Sequence, residues 1–407
     1  MSNVLVLCIP SHGHVNPVLG LAGELIDKGE KVTFFCSAEF KSAVEETGAD
    51  FKCYKEDLNI FQSGKQKKGS PGFLAAILEP DKFIDDILLQ VSDLKFDYIV
   101  FSSAYPYASL IARVLNLPAV SSFAVFATLK DLFTRKTGSA LLNFINDKTF
   151  SLKIYMMSLL YKSSFNKVRR YLAAKHHVTI QGGILNQVFN KGDLNIVYTS
   201  KYFIPDIHQY DDSFIFIGPP IYNKKYEVSF PFEKLKGKKV IYISMGTVFS
   251  NYSEELNNLF FKSFANVDAV VVMAAYKVDL SKFDIPANFI VQHYVPQSEI
   301  LKHASVAITH AGMNSIGDLL YNNVPFVAIP LGADQFYLAN RAQELGATIV
   351  LDIKHLTPAL LTNAVEKVLV DPVYAENISK ISDSFIKAGG YKKAVEEIFK
   401  LKKSKLM

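Results

Sequence analysis

Residues Ser305 to Arg341, SVAITHAGMNSIGDLLYNNVPFVAIPLGADQFYLANR, constrain the fold of this 407-residue chain more than any other stretch. Val306 to Thr309 is a short β-branched run of strand length. It breaks at His310-Ala311-Gly312, after which Asn314 and Ser315 open a helical segment carrying Ile316, Leu319 and Leu320. That helix ends near Asn322-Asn323, Pro325 starts a second apolar strand running to Pro330, and Asp334-Gln335 follow at its carboxyl end. In an open α/β sheet, two consecutive strand ends of this kind project into one crevice.

The first of these turns favours an anion. Backbone N–H groups at a helix N-terminus lack intrahelical partners and carry the positive end of the helix dipole, so a phosphate there gains hydrogen bonds and charge stabilisation together. Gly312 lets the backbone come close, and His310, Asn314 and Ser315 add side-chain donors. Asp334 and Gln335 offer a carboxylate and an amide, which suit sugar hydroxyls. Gly and Ser also occupy such turns in Rossmann-like domains generally, so the turn alone leaves both readings open.

The same alternation recurs along the chain. Val4 to Ile9 is an apolar run broken by Pro10-Ser11-His12-Gly13-His14. Asn16 as N-cap and Pro17 at the first helical position then predict a helix carrying Val18, Leu21, Ala22, Leu25 and Ile26 and stopping at Gly29. Lys31 to Cys36, Phe96 to Phe101 and Pro118 to Ser122 read as further strands, Glu39 to Thr47 and Ala104 to Asn116 as helices, and 56–72 as a polar loop. Ala140 to Ala174 reads as an unusually apolar helix. Its Tyr155, Met156, Met157, Leu159 and Leu160 make a surface able to re-pack around different ligands, and a plain core or interface helix fits equally. Asp211 to Ile217 leads into Gly218-Pro219-Pro220, and a second strand and helix series begins at Val240. The fold class is therefore α/β, with two tandem Rossmann-like doubly wound domains facing a cleft. They are expected over 1–218 and 240–382, with a linker at 219–239 and terminal helices over 383–407.

Composition excludes several function classes. At 49% apolar and 20% charged, the chain can bury two cores of ordinary domain size. A net charge of +5, with no cluster alternating basic and aromatic residues, argues against nucleic acid and leaves only a weak attraction to anionic surfaces. The basic run Lys400 to Lys405 reads as a frayed, solvated end. No stretch approaches the roughly 18 uninterrupted apolar residues of a membrane span, and the first apolar run lacks the basic flank of a signal peptide. Cys8, Cys36 and Cys53, an odd set in or beside apolar runs, are expected to be reduced core thiols in a cytoplasmic protein. Oligomeric state is open.

On His310, Ala311, Gly312, Asn314, Ser315, Asp318, Pro330, Asp334 and Gln335, the central stretch resembles the donor-binding signature of the family 1 UDP-sugar-dependent glycosyltransferases. Their pattern is roughly H-G/A-G-x-x-S-x-x-E, then P, then D/E-Q. The similarity runs the full length and leans towards the bacterial macrolide group. It implies the GT-B fold, with a terminal helix crossing back to the first domain. It also implies that His310, Gly312, Met313, Asn314 and Ser315 hold the diphosphate, that Asp318 replaces the family's ribose-binding Glu with one methylene less reach, and that Asp334 and Gln335 hold the hexose. Ser244-Met245-Gly246-Thr247 matches the family's S-x-G-T/S turn, placing Gly246 and Thr247 at the diphosphate. The run QHYVPQ, Gln292 to Gln297, resembles the segment whose backbone near Val295 and side chain of Gln297 read the uracil edge. Tyr294 stands where plant relatives carry a stacking Trp; a loop aromatic packed on its own domain is the alternative.

In the matching H-G-H-x-N-P segment the second histidine, here His14, deprotonates the acceptor hydroxyl. Its place just before a helix N-terminus would keep the ring neutral. The family usually pairs it with an aspartate at the end of the fourth strand, where this chain has Ser102. A hydroxyl orients the ring without bringing charge. The implied reaction is inverting transfer of a hexose, glucose foremost, from a UDP-sugar to a hydroxyl of a small hydrophobic acceptor such as a macrolide, flavonoid or other polyphenol. Phenolic hydroxyls are favoured, and no cofactor, metal or nucleic acid is required. The alternatives are a weak or inactive relative that binds a nucleotide sugar or hydrophobic ligand, and a nucleotide-sugar epimerase of the same architecture.

Overall fold

The computed structural model describes residues 1–55, 77–124, 140–187, 189–222, 229–246, 254–332 and 334–406. The polar stretch expected over 56–72 and Thr247 lie outside them. The first lobe is built on β1 (Asn3–Leu7), β2 (Lys31–Cys36), β3 (Asp50–Cys53), β4 (Tyr98–Ser102), β5 (Ala119–Phe123), β6 (Leu194–Val197) and β7 (Phe214–Phe216). They pair in parallel in the order β3-β2-β1-β4-β5-β6-β7. Helices α1 (His12–Asp27), α2 (Lys41–Glu45), α3 (Pro80–Gln90), α4 (Ala108–Val114) and α5 (Ala140–His176) complete it.

The second lobe has β8 (Val240–Ser244), β9 (Val270–Ala274), β10 (Phe289–Gln292), β11 (Val306–Thr309), β12 (Phe326–Ala328) and β13 (Thr348–Val350). Their order is β10-β9-β8-β11-β12-β13, again parallel. With them run α6 (Glu254–Phe264), α7 (Gln297–Leu301), α8 (Met313–Tyr321), α9 (Gln335–Glu344), α10 (Pro358–Val370), α11 (Pro372–Lys387) and α12 (Gly390–Leu406).

The central strands β1, β4 and β8 are near-continuous apolar runs because helices cover both faces of a parallel sheet, and their inward residues are buried accordingly. In each sheet the strand order reverses at one seam, between β1 and β4 in the first and between β8 and β11 in the second. Those seams are where open α/β sheets bind ligands.

Helix α1 starts five residues earlier than Asn16-Pro17 predicts. The N–H groups of His14 and Val15 donate to the Ser11 carbonyl at 2.9 and 2.8 Å, closing a first turn that includes both histidines. Pro17 lies inside the helix, where its fixed φ fits and only the bond to residue 13 is lost.

The terminal helices tie the lobes together. α11 packs on α8 of the second lobe, and α12 packs on α1 of the first. Tyr391 donates to the Pro17 carbonyl at 2.9 Å, and its ring lies 2.4 Å from where a Cβ on Gly20 would stand, so only glycine admits this crossing. Arg341 of α9 reaches across to the carbonyls of Phe203 and Tyr202, at 2.8 and 3.2 Å.

The basic run at the C-terminus is not a frayed end. It belongs to α12, with Lys402 Nζ 3.1 Å from Glu30 and Lys405 Nζ 3.2 Å from Asp193. The Glu30 side chain is 3% exposed, so the lysine compensates a charge that water cannot reach. Lys402→Met strands that carboxylate and is expected to cost about 3 kcal/mol. Urea denaturation measures it, and a loss below about 1 kcal/mol, the ordinary worth of an exposed pair, would remove the clasp from the account.

Among the described residues, no helix is long and apolar enough to cross a membrane. Cys8 and Cys36 are buried free thiols as expected, whereas Cys53 is exposed, because β3 lies at the sheet edge.

Candidate active site

His14 and Ser102 come from neighbouring strands. β1 and β4 pair with Leu7 beside Phe101, so Ser102, the last residue of β4, stands next to the chain entering α1. Ser102 Oγ is 3.0 Å from His14 Nδ1. The serine is fully buried, and the histidine is half-buried. Burial lowers the His14 ring from 6.5 to about 4. The sequence attributes neutrality to the helix end; in the structure desolvation is the resolved cause, and His14 sits within the first turn rather than before it. His12 turns elsewhere, its ring edge-on to Phe40 with centroids 4.9 Å apart.

The second lobe mirrors this arrangement. Thr309 pairs with Ser244, so the turns after β11 and β8 lie side by side and bring His310 against Gly246. A Cβ on Gly246 or on Gly312 would stand 2.5 Å from His310 Nε2, so two missing side chains create the slot for the ring. Gly246 has φ +81 and Ala311 φ 61, left-handed values that fold the turn back towards the ring. Burial, opposed by a hydrogen bond to the Ser244 backbone, lowers His310 to about 4, and its Nδ1 is buried without a partner. Without a ligand the ring is therefore a neutral hydrogen-bonding group.

Helix α8 begins at Met313 with Gly312 as N-cap and no side-chain cap. Met313 is buried; Asn314 and Ser315 are half-buried on the first turn. Tyr294 is 44% exposed. Val295 is buried, and its carbonyl accepts from the Gln297 N–H at 2.8 Å, closing a tight turn.

Two of the side chains assigned to the donor are engaged by the protein itself. Gln297, assigned to the uracil edge, spends both ends of its amide inside the protein. Its Oε1 accepts from the Tyr242 hydroxyl at 2.9 Å, and its Nε2 donates to Asp318 Oδ2 at 2.6 Å. Gln335, assigned to the hexose, is 4% exposed, and its Oε1 accepts from the Leu331 and Gly332 N–H groups at 2.8 and 3.2 Å. The carbonyl end of that side chain braces the turn that presents Asp334. Asp334 is the N-cap of α9 without a cap bond, half-buried and raised to about 6 by burial. Asp318 is raised to about 7 by burial, against the lowering effect of Gln297. Tyr242 was missed by sequence reasoning; its only signal is a hydroxyl inside the buried strand VIYIS.

In the first lobe, α5 packs into the core through Phe165, Val168 and Leu172. Its earlier half presents Leu152, Tyr155, Met156, Leu159 and Leu160, each 46–73% exposed and spaced to share one face. Among the described residues, no group of three or more His, Cys, Asp or Glu is placed to hold a metal ion.

Residues 226–387 match the family model for UDP-glucoronosyl and UDP-glucosyl transferase. Over its full length the chain is 35% identical to the UDP-glucosyltransferase YdhE of Bacillus subtilis (strain 168), covering 100% of both chains. It is 31% identical to the UDP-glucosyltransferase YojK of the same organism, covering 100% of this chain and 98% of that one. The crystal structure of the glycotransferase of kitacinnamycin superposes with a TM-score of 0.81 at 22% identity, over 98% of this chain and 99% of that one. Two parallel-sheet α/β lobes are thus the GT-B architecture, and the chain belongs to the family 1 UDP-sugar-dependent glycosyltransferases, as a UDP-glycosyltransferase.

Proposed function

We propose that the chain transfers glucose from UDP-glucose, with inversion, to the phenolic hydroxyl of a small hydrophobic acceptor, with His14 as the base. The observation that carries this reading is the 3.0 Å contact between Ser102 Oγ and His14 Nδ1. With Nδ1–H donating to the serine, Nε2 holds the lone pair that accepts the proton. Burial keeps the ring neutral at physiological pH, as a base must be.

The same burial makes it a weak base, so every acceptor proton is moved uphill and the more acidic hydroxyl has the smaller deficit. Moving a proton from a phenol of pKa about 10 to a ring near 4 is uphill by about 6 units, roughly 8 kcal/mol. For a hydroxyl as weakly acidic as water, about 15.7, the deficit is roughly 16 kcal/mol. Proton transfer accompanies carbon–oxygen bond formation, so only a part of that difference reaches the barrier. The phenol still wins. The exposed Tyr, Met and Leu face of α5 supports a flat or greasy acceptor.

The donor reading rests on the second seam. The uncapped start of α8 offers N–H groups to the leaving diphosphate, with neutral His310 beside it and Asp334 placed for hexose hydroxyls. The names of the two Bacillus relatives support glucose as the sugar. Fixed donors of this kind do what a divalent ion does elsewhere, so no metal is required in this proposal. Two buried thiols support a reducing, cytoplasmic compartment.

The test is incubation with UDP-glucose and matched phenolic and aliphatic acceptors, with and without a chelator, reading product mass and anomeric proton coupling. The expected product is a β-glucoside, formed faster on phenols and unaffected by chelation. An α-glucoside, or UDP release without any glycoside, would overturn the reading.

A further inference from the structure

The donor lobe contains a hydrogen-bonded relay whose first member, Tyr242, has no role in the reaction described above. Tyr242 lies in the middle of β8, 3% exposed, with its hydroxyl donating to Gln297 Oε1 at 2.9 Å. Gln297 opens α7, and its Nε2 donates to Asp318 Oδ2 at 2.6 Å. Asp318 lies on α8, the helix whose N-terminus faces the diphosphate in the proposed function. Three separate elements are thus joined by hydrogen bonds running in one direction, from hydroxyl to amide to carboxylate. The direction matters because an amide has a donor end and an acceptor end. Flipped, Gln297 would aim its carbonyl oxygen at an ionised carboxylate and repel it.

We propose that Tyr242 is a positioning residue of the donor site: it fixes which way the Gln297 amide faces, and so holds Asp318 with one oxygen occupied and the other presented to the ribose hydroxyls. The inference rests on the donor reading above and adds a residue outside the recognised signature. Asp318 is a half-buried carboxylate whose pKa desolvation raises to about 7, and the Gln297 donor is the contact that lowers it. Titratable groups near it are Tyr242 and, from the crossing helix α12, Tyr391, both raised by burial and, less strongly, by the charge of Asp318. Loss of the Tyr242 hydroxyl leaves Gln297 Oε1 without its donor, frees the amide to turn, and removes the bond that lowers the Asp318 carboxyl. The consequence is specific to ligands that carry a ribose 2′-hydroxyl.

The experiment uses the full chain and Tyr242→Phe, with two readings. Calorimetry compares binding of UDP and of thymidine diphosphate, which lacks the 2′-hydroxyl. Carbon-13 NMR of the labelled aspartates follows the Asp318 titration without any ligand. The expected result is UDP affinity lower by about 5- to 20-fold, thymidine diphosphate affinity within about 2-fold of native, and an Asp318 midpoint moved upward. Gln297→Met breaks the next link and is expected to reproduce the pattern, which separates the relay from a packing defect at β8. Equal losses on both nucleotides, or an Asp318 midpoint unchanged in both variants, would overturn the proposal. A native chain that binds neither nucleotide would defeat the proposed function instead, and the ligand-free titration would still decide whether Tyr242 acts through Asp318.

Discussion

His14→Ala is expected to lower kcat for glycoside formation by about 10²- to 10⁴-fold, the usual worth of a positioned general base, while leaving UDP affinity within about 2-fold of native. The division follows from the architecture. His14 sits at the seam of the first sheet, whereas every group assigned to the donor belongs to the second lobe. An alanine at position 14 removes the proton acceptor and touches nothing that holds the nucleotide. His12→Ala is the matched control. That ring packs against Phe40, so its loss is expected to cost less than about 10-fold, through packing alone. Single-turnover rates with equilibrium UDP binding make the comparison. Equal effects from both histidines would remove His14 from its assigned role.

Ser102→Asp is expected to change which acceptors the enzyme can use. A carboxylate beside the imidazole raises the ring's pKa by about 1–3 units. In the native chain, with the ring near 4, kcat at saturating donor should be level from about pH 5 upward, because the base is already deprotonated. In the variant the acid limb moves to between about pH 5 and 7, and the rate falls below it as the ring becomes protonated. Above that limb the stronger base helps the less acidic hydroxyl more, so the aliphatic rate should rise relative to the phenolic one by about 10-fold. Ser102 is fully buried, so part of the new carboxylate's desolvation cost will appear as lost stability. Thermal melts recorded beside the rates separate that loss from the catalytic change. An unchanged acid limb and an unchanged acceptor ratio in a folded variant would contradict the role given to residue 102.

The architecture was legible because its signals are long and repeated. Apolar runs such as those at β1, β4 and β8, each stopped by a Gly- or Pro-containing turn, leave little choice but a parallel sheet covered on both faces. Short or polar pieces were not legible in this way. β3 is four residues with exposed positions at a sheet edge, and β6 carries Asn195, whose amide bonds to nearby Gly192 and to Ser213, 18 positions away. The start of α1 was misplaced because Asn16-Pro17 is a strong local signal, while the actual start is decided by the Ser11 carbonyl at the end of β1.

Within the site, motif positions could be read but the use of each side chain could not. Whether the Gln297 or Gln335 carbonyl faces ligand or protein depends on Tyr242 and on the Leu331 and Gly332 amides, partners that spacing along the chain does not reveal. The pairing of His14 with Ser102, separated by 88 positions, was legible only through the family resemblance, and its physical basis is that β1 and β4 are neighbours. The neutral state of His310 likewise depends on two glycines from different turns closing around one ring.

The most direct measurement is nitrogen-15 NMR of the imidazole rings in the full-length protein, with His14 assigned by comparison with His14→Ala and titrated from about pH 3 to 8. The expected spectrum shows His14 protonated on Nδ1 alone at neutral pH, bare at Nε2, with a midpoint near 4. A ring protonated on Nε2 at neutral pH, or one titrating at or above the ordinary value near 6.5, would contradict a neutral base held by Ser102 and facing the acceptor.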